Sequence, residues 1–150
     1  MKLWRIAGAS HPVWSGEGAR IAGARWNPAG MQVIYAGTSY AISTLEILVH
    51  ANVGTIPRRF NYVSADLPAD ASVEAADMAD VPGWSSNDSS AAQAFGRRWL
   101  QERRSLILLV PSVVTNGLDQ NALINPAHAE FARIVVGQER PVVWDSRLRV

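Results

Sequence analysis

No cysteine occurs among the 150 residues. That absence removes disulfides, thiolate nucleophiles and cysteine-bound metals, and it fits a reducing compartment such as the cytoplasm. Neither sign of charge is in excess: 14 Lys+Arg stand against 13 Asp+Glu, a net charge of +1. The chain therefore lacks the cationic surplus on which non-specific binding to a phosphate backbone draws, and it points away from direct nucleic-acid binding. Long apolar runs are also missing. The longest, LILLVPSVV, is broken by Pro111 and Ser112, and Arg5 interrupts the N-terminal stretch where a secretory signal needs continuous apolar residues. We read neither a signal peptide nor a membrane span, and expect a cytoplasmic protein. Histidine is scarce, and His11, His50 and His128 have no zinc-like spacing, so no metal site is expected.

What is present suits one domain spanning residues 1–150, since a chain of that length buries about two thirds of the surface its unfolded form exposes. KLWRIA reads as an opening strand with Leu3, Arg5 and Ala7 on one face. SGEGARIAGARWNPAG is glycine-rich, ends in an Asn-Pro-Ala-Gly turn, and is expected to be a long loop. MQVIYAG returns to a strand. From Thr38 or Ser39 as cap, Ile42, Leu45, Leu48 and Val49 recur at helical spacing through His50. RRFNYVSADL reads as a strand and PADASVEAADMADVPGW as a loop with at most a turn of helix. SNDSSAAQAFGRRWLQERRS places Ala92, Phe95 and Trp99 on one stripe, with Arg97, Arg98, Arg103 and Arg104 on the solvated face. LILLVPSVV is a buried strand, NGLDQNALINPAH a loop, and FARIVV and PVVWDSRLRV two final strands. This order lacks regular βαβ alternation. It predicts an α+β fold with a mixed or antiparallel sheet and flanking helices.

Three residues stand out for chemistry. Glu46 sits at the margin of the buried helical stripe, where an unpaired carboxylate costs several kcal/mol (on the order of 2–7) and calls for a cationic or hydrogen-bonding partner. A rim glutamate reaching water fits the same spacing. Arg25, beside the Asn27-Pro28 turn, offers the planar fork that suits phosphate oxygens, or is a surface arginine. Tyr35 alternates with Ile34 and lines a site or fills the core. His50 lies one turn beyond Glu46 and can share its face. GEGARIAG lacks the spacing of a dinucleotide loop, and Ser112 lacks the context of a hydrolase nucleophile.

Taken together and in order, WRI, GARWNPAG, VIYAG, TLEILVH, VPSVV and LINPAH resemble the RES-domain family over nearly the whole chain. The family's arginine, glutamate and serine match Arg25, Glu46 and Ser112; Tyr35, Arg5 and Asn125 match further family positions. Gly23-Ala24-Arg25-Trp26 stands where many members have Gly-Gly-Arg-Trp, and Asp119 where glutamate is common. The resemblance implies a fold like that of ADP-ribosyltransferase toxins and cleavage of NAD+ at its nicotinamide–ribose bond, with NAD+ as substrate and no cofactor. It implies a toxin that depletes NAD+ and arrests growth, neutralised by a helix-turn-helix antitoxin in a hetero-oligomer. Glu46 would face the ribosyl cation or hold a ribose hydroxyl, Arg25 and Arg5 would bind the phosphates, and Tyr35 would stack on the nicotinamide or position it; Ser112 would support the site, and Trp26 and Asn125 would line it. The acceptor stays open: water makes a glycohydrolase, phosphate a phosphorylase, a protein side chain an ADP-ribosyltransferase. A non-catalytic partner-binding module is the alternative outside enzymology.

Overall fold

The computed structural model describes residues 1–51 and 59–148. Its described strands are β1 (Lys2–Gly8), β2 (Ile34–Gly37), β3 (Phe60–Asp66), β4 (Val73–Ala75), β5 (Ile107–Pro111), β6 (Gln120–Ile124), β7 (Val135–Val136) and β8 (Arg140–Pro141). They form one sheet in the order β4-β5-β6-β2-β1-β3-β7, with β8 also pairing with β3. Only the β4–β5 pair is parallel. Among the described residues three α-helices accompany it: α1 (Glu17–Ala22), α2 (Tyr40–His50) and α3 (Ser90–Glu102). This is the α+β class with a mixed sheet that the pattern predicts.

Period-two alternation divides the strand residues between two apolar layers. Ile34, Ala36, Ile107, Ala122 and Ile124 join Leu3 on one face. Val33, Leu108, Val110 and Leu123 face the other way, onto Trp26 and the α3 residues Ala92, Trp99 and Leu100. Burial on both faces explains why LILLVP is a continuous apolar run. Trp99, fully buried, donates its indole N–H to Ser105 Oγ at 2.8 Å, and that hydroxyl donates to the carbonyl of Ile107 at 2.7 Å.

Helix α2 begins where its sequence says it should. The Ser39 side chain accepts the Ile42 N–H at 3.1 Å, satisfying one of the helix's orphan donors. The helix lies close on the sheet: Ser43 Oγ donates to the Trp4 carbonyl at 2.9 Å, and a Cβ at Gly37 would stand 2.3 Å from Ser43 Oγ. Of the strand expected over RRFNYVSADL, Arg58 lies outside the described residues.

Four expectations are corrected. The stretch read as a long loop contains α1, whose Glu17 and Arg20 side chains pair one turn apart; Gly16, Gly18 and Gly23 hid it, and it buries no residue to give an apolar stripe. NGLDQNALINPAH, read as a loop, contains β6, which is central in the sheet and paired with both β2 and β5. The loop expected before α3 includes β4, in addition to one 3₁₀ turn at Met78–Asp80. The two long final strands shrink to β7 and β8 of two residues each, followed by a 3₁₀ turn at Ser146–Leu148, and Arg149 and Val150 of the last expected strand lie outside the described residues.

At Gly96 the helix α3 meets the loop after α1: a Cβ built there would lie 1.7 Å from the carbonyl oxygen of Trp26. Backbone cannot yield as a side-chain tip can. We expect Gly96→Ala to destabilise the protein by about 2–3 kcal/mol, the upper part of the range for overpacked sites. For a chain of this size that corresponds to a Tm lower by roughly 4–12 °C in calorimetry. An unchanged Tm would show that the helix and loop separate freely.

Candidate functional site

A cavity of about 380 Å³ opens between α2, the loop after α1 and the adjoining ends of β1, β2, β5 and β6. It exists because β1 and β2 barely pair: Trp4 and Gly37 are their single register match. Arg5 enters the gap. Its Nη1 donates to the Tyr35 carbonyl at 2.5 Å and its Nε to the Val13 carbonyl at 2.6 Å. No carboxylate accompanies it among the described residues, and burial lowers its pKa to about 10. That value is well above neutral, so the guanidinium stays charged. Its Nη2 has no protein acceptor among the described residues.

Glu46 reaches into the cavity from α2. Its Oε1 accepts two hydrogen bonds of 2.7 Å, one from Ser112 Oγ and one from Asn121 Nδ2. Ser112, fully buried, opens the loop between β5 and β6. That loop is closed by the Ser112 N–H donating to the Asp119 carbonyl at 2.9 Å and the Gly117 N–H donating to the Ser112 carbonyl at 2.8 Å. Asn121 stands on β6 in register with Gly37 on one side and Val110 on the other. Both donors act on one oxygen. Among the described residues nothing donates to Oε2, which is left for a ligand.

Arg25 stands in the cavity wall with Nη1 donating to the carbonyls of Trp84 at 3.0 Å and Ser86 at 2.7 Å. Its Nε and Nη2 have no acceptor among the described residues. The Arg25 loop is itself held by Tyr35, whose hydroxyl accepts the Trp26 N–H at 3.1 Å and donates to Asn27 Oδ1 at 2.7 Å. Asn27, fully buried, returns its Nδ2 to the carbonyls of Ala19, Pro28 and Met31 at 2.9, 3.0 and 3.2 Å. Burial raises the pKa of Tyr35, so the phenol is neutral. The Tyr35 ring lines the cavity while its hydroxyl is spent on the loop. Trp26 also lines it and packs edge to face on Phe95 at 6.2 Å.

The fold thus gathers Arg5, Arg25, Trp26, Tyr35 and Glu46 in one wall, with Ser112 directly behind Glu46. Asn125 is not among them. It is buried in the turn after β6, where Oδ1 accepts the Ala127 N–H at 3.0 Å and Nδ2 donates to the Leu100 carbonyl at 3.3 Å. The asparagine that meets Glu46 is Asn121, which sequence reasoning missed. Recognising NALI as a strand would have found it, since Asn121 then becomes a polar residue in line with apolar Leu123. Asn27 was noted only as part of a turn. No group of histidine and carboxylate residues that could hold a metal occurs among the described residues.

Two guanidinium groups and one carboxylate give this wall a surplus of positive charge suited to an anionic ligand, while Ile47, Val113 and Val114 supply apolar surface. A carboxylate fixed by two hydrogen bonds is a preorganised negative charge and can stabilise a cation that forms beside it.

The chain is similar to known proteins over nearly its whole length. The RES domain matches residues 2–145. The Prs ADP-ribosylating toxin of Sphingobium sp. (strain YBL2) is 37% identical over 97% of this chain and 95% of its own length. Toxin Res of Pseudomonas putida is 36% identical over 99% of both chains, and Toxin Res of Yersinia enterocolitica 31% identical over 99% of this chain and all of its own. The crystal structure of the M. tuberculosis MbcT-MbcA toxin-antitoxin complex contains a chain of the same fold, with TM-score 0.73 and 20% identity over 94% of this chain and 83% of that one. Domain match and relatives, each covering nearly the whole chain, place the protein in the RES-domain family.

Proposed function

We propose that the protein is an NAD+-cleaving toxin that breaks the bond between nicotinamide and ribose, with water or phosphate as acceptor. The observation that carries this reading is the Glu46 carboxylate, fixed on one oxygen by Ser112 and Asn121 and open on the other, in a cavity that also holds Arg5 and Arg25. NAD+ matches that inventory. Its pyrophosphate suits guanidinium forks. When the C1′–N bond breaks, the electron pair passes to the pyridinium nitrogen, nicotinamide leaves neutral, and positive charge develops on C1′ and the ring oxygen. Glu46 Oε2 faces that charge, Arg25 and Arg5 hold the phosphates, and Trp26 and the Tyr35 ring bound the nicotinamide end.

The protein acts in the cytoplasm, where it depletes NAD+ and stops growth until a helix-turn-helix antitoxin binds it. The toxin-antitoxin complex in which the similar fold occurs supports an antitoxin partner, and its helix-turn-helix character rests on the family resemblance alone. A second reading, transfer of ADP-ribose to a protein, is favoured by the name of the Sphingobium relative, the Prs ADP-ribosylating toxin. Incubating the pure protein with NAD+, with and without phosphate, and weighing the products separates these. Free ADP-ribose or its phosphorylated form supports the first reading, a mass gain on an added lysate protein the second, and untouched NAD+ throughout refutes both.

Glu46→Gln keeps size and hydrogen bonding but deletes the charge opposite the ribosyl cation. Turnover is expected to fall by roughly a hundred to a thousand fold, about 3–4 kcal/mol in the transition state, with little change in KM or Tm. Near-parental turnover would return Glu46 to the status of a rim residue.

Tyr35→Phe tests whether the hydroxyl serves the loop. Removing it leaves the Trp26 N–H and Asn27 Oδ1 without their partner, a cost of about 1–3 kcal/mol. The expected result is a raised KM for NAD+ as Arg25 loses its placement, together with a lower Tm. If KM and Tm both stay parental, the hydroxyl is dispensable and only the ring matters.

A further inference from the structure

His50 stands one helical turn after Glu46, lines the same cavity and is exposed to solvent. Its Nδ1 lies 2.6 Å from the backbone carbonyl oxygen of Glu46. A carbonyl only accepts, so Nδ1 bears the hydrogen, and in the neutral ring Nε2 holds the lone pair. Among the described residues no donor engages Nε2. The hydroxyl groups of the lining and the Asn121 amide nitrogen are engaged within the protein. Ser43 Oγ donates to the Trp4 carbonyl, the Tyr35 hydroxyl is taken by Trp26 and Asn27, Asn121 Nδ2 is on Glu46, and Glu46 is the single carboxylate of the wall among the described residues. Among the described residues, the charged groups that line the same cavity are Glu46 on its own helix and Arg5 and Arg25 elsewhere in the lining.

We propose that His50 is the general base that activates the acceptor in NAD+ cleavage. This rests on the reading of the cavity as an NAD+ site. The division of labour is then complete. As the C1′–N bond breaks and nicotinamide leaves with its electron pair, Glu46 Oε2 stabilises the ribosyl cation. A water oxygen adds to C1′, its proton passes to His50 Nε2, and the imidazolium releases that proton to solvent while ADP-ribose departs. Phosphate needs no such help, because at neutral pH it already presents an anionic oxygen. His50 therefore matters for acceptors that have a proton to lose and much less for those that do not.

The experiment uses His50→Asn, whose side-chain amide can still donate to the Glu46 carbonyl in place of Nδ1 but offers no base. ADP-ribose and phosphorylated ADP-ribose are quantified from NAD+ with and without phosphate. In the variant, ADP-ribose release should fall by about a hundred to ten thousand fold, the usual contribution of a general base. Phosphorolysis should fall far less, so that the product ratio shifts by at least an order of magnitude. KM for NAD+ and Tm should stay parental, and added imidazole should restore ADP-ribose release. Parental hydrolysis in the variant would make His50 a helix-end cap only, and equal loss of both products without imidazole rescue would make its role structural. Either overturns the proposal, as does a parental protein that releases no ADP-ribose without phosphate. Failure of the underlying reading looks different: the parental protein then leaves NAD+ intact under both conditions.

Discussion

The structure depends on one oxygen atom. Glu46 Oε1 receives hydrogen bonds from Ser112 and Asn121, residues 66 and 75 positions further along the chain, and so ties α2 to the β5–β6 hairpin across the cavity. A carboxylate at the edge of an apolar helix face needs donors, and supplying them from a rigid hairpin fixes both its position and its free oxygen. The rest of the architecture serves this tether. Ser43 seats the helix on β1, Val110 and Gly37 flank Asn121 in register, and the bonds around Ser112 hold the hairpin loop closed.

In the lining of the same cavity the fold keeps a cation that no carboxylate among the described residues neutralises. Arg5 occupies the gap where β1 and β2 fail to pair and is held by two backbone carbonyls. Desolvating a guanidinium is unfavourable, as its lowered pKa records, and carbonyl dipoles offset only part of that. An anionic ligand in the cavity would relieve the remainder, so that on the proposed reading binding and the internal electrostatics are coupled.

Much of this was legible in the sequence where the information is local. Helix α2 followed from Ser39 and the spacing of Ile42, Leu45 and Val49; α3 from Ala92, Phe95 and Trp99; β5 from its apolar run. Strand β6 did not, because Gln120 and Asn121 break its apolar character and Asn125-Pro126 suggests a turn; it exists because β2 and β5 offer it two edges, which is a non-local fact. The same holds for the site. Arg25 and Glu46 were nameable from their settings, and Ser112 from family resemblance. Asn121 became visible only once β6 lay beside β2. Asn125 was drawn into the site by its motif, although its side chain serves the turn it starts.

Gly37 shows how narrow the tolerances are. It faces Trp4 on one neighbouring strand and Asn121 on the other, and a methyl group there would stand 2.3 Å from Ser43 Oγ and 2.7 Å from Ile42 Cγ2. The position acts as a shim beneath α2. Any side chain inserted there lifts the helix and withdraws the carboxylate from its two donors, without touching a reacting group. Attenuation of such a protein can therefore arise at a residue that chemistry alone would never nominate, and the thickness of one strand residue sets the height of the helix that carries Glu46.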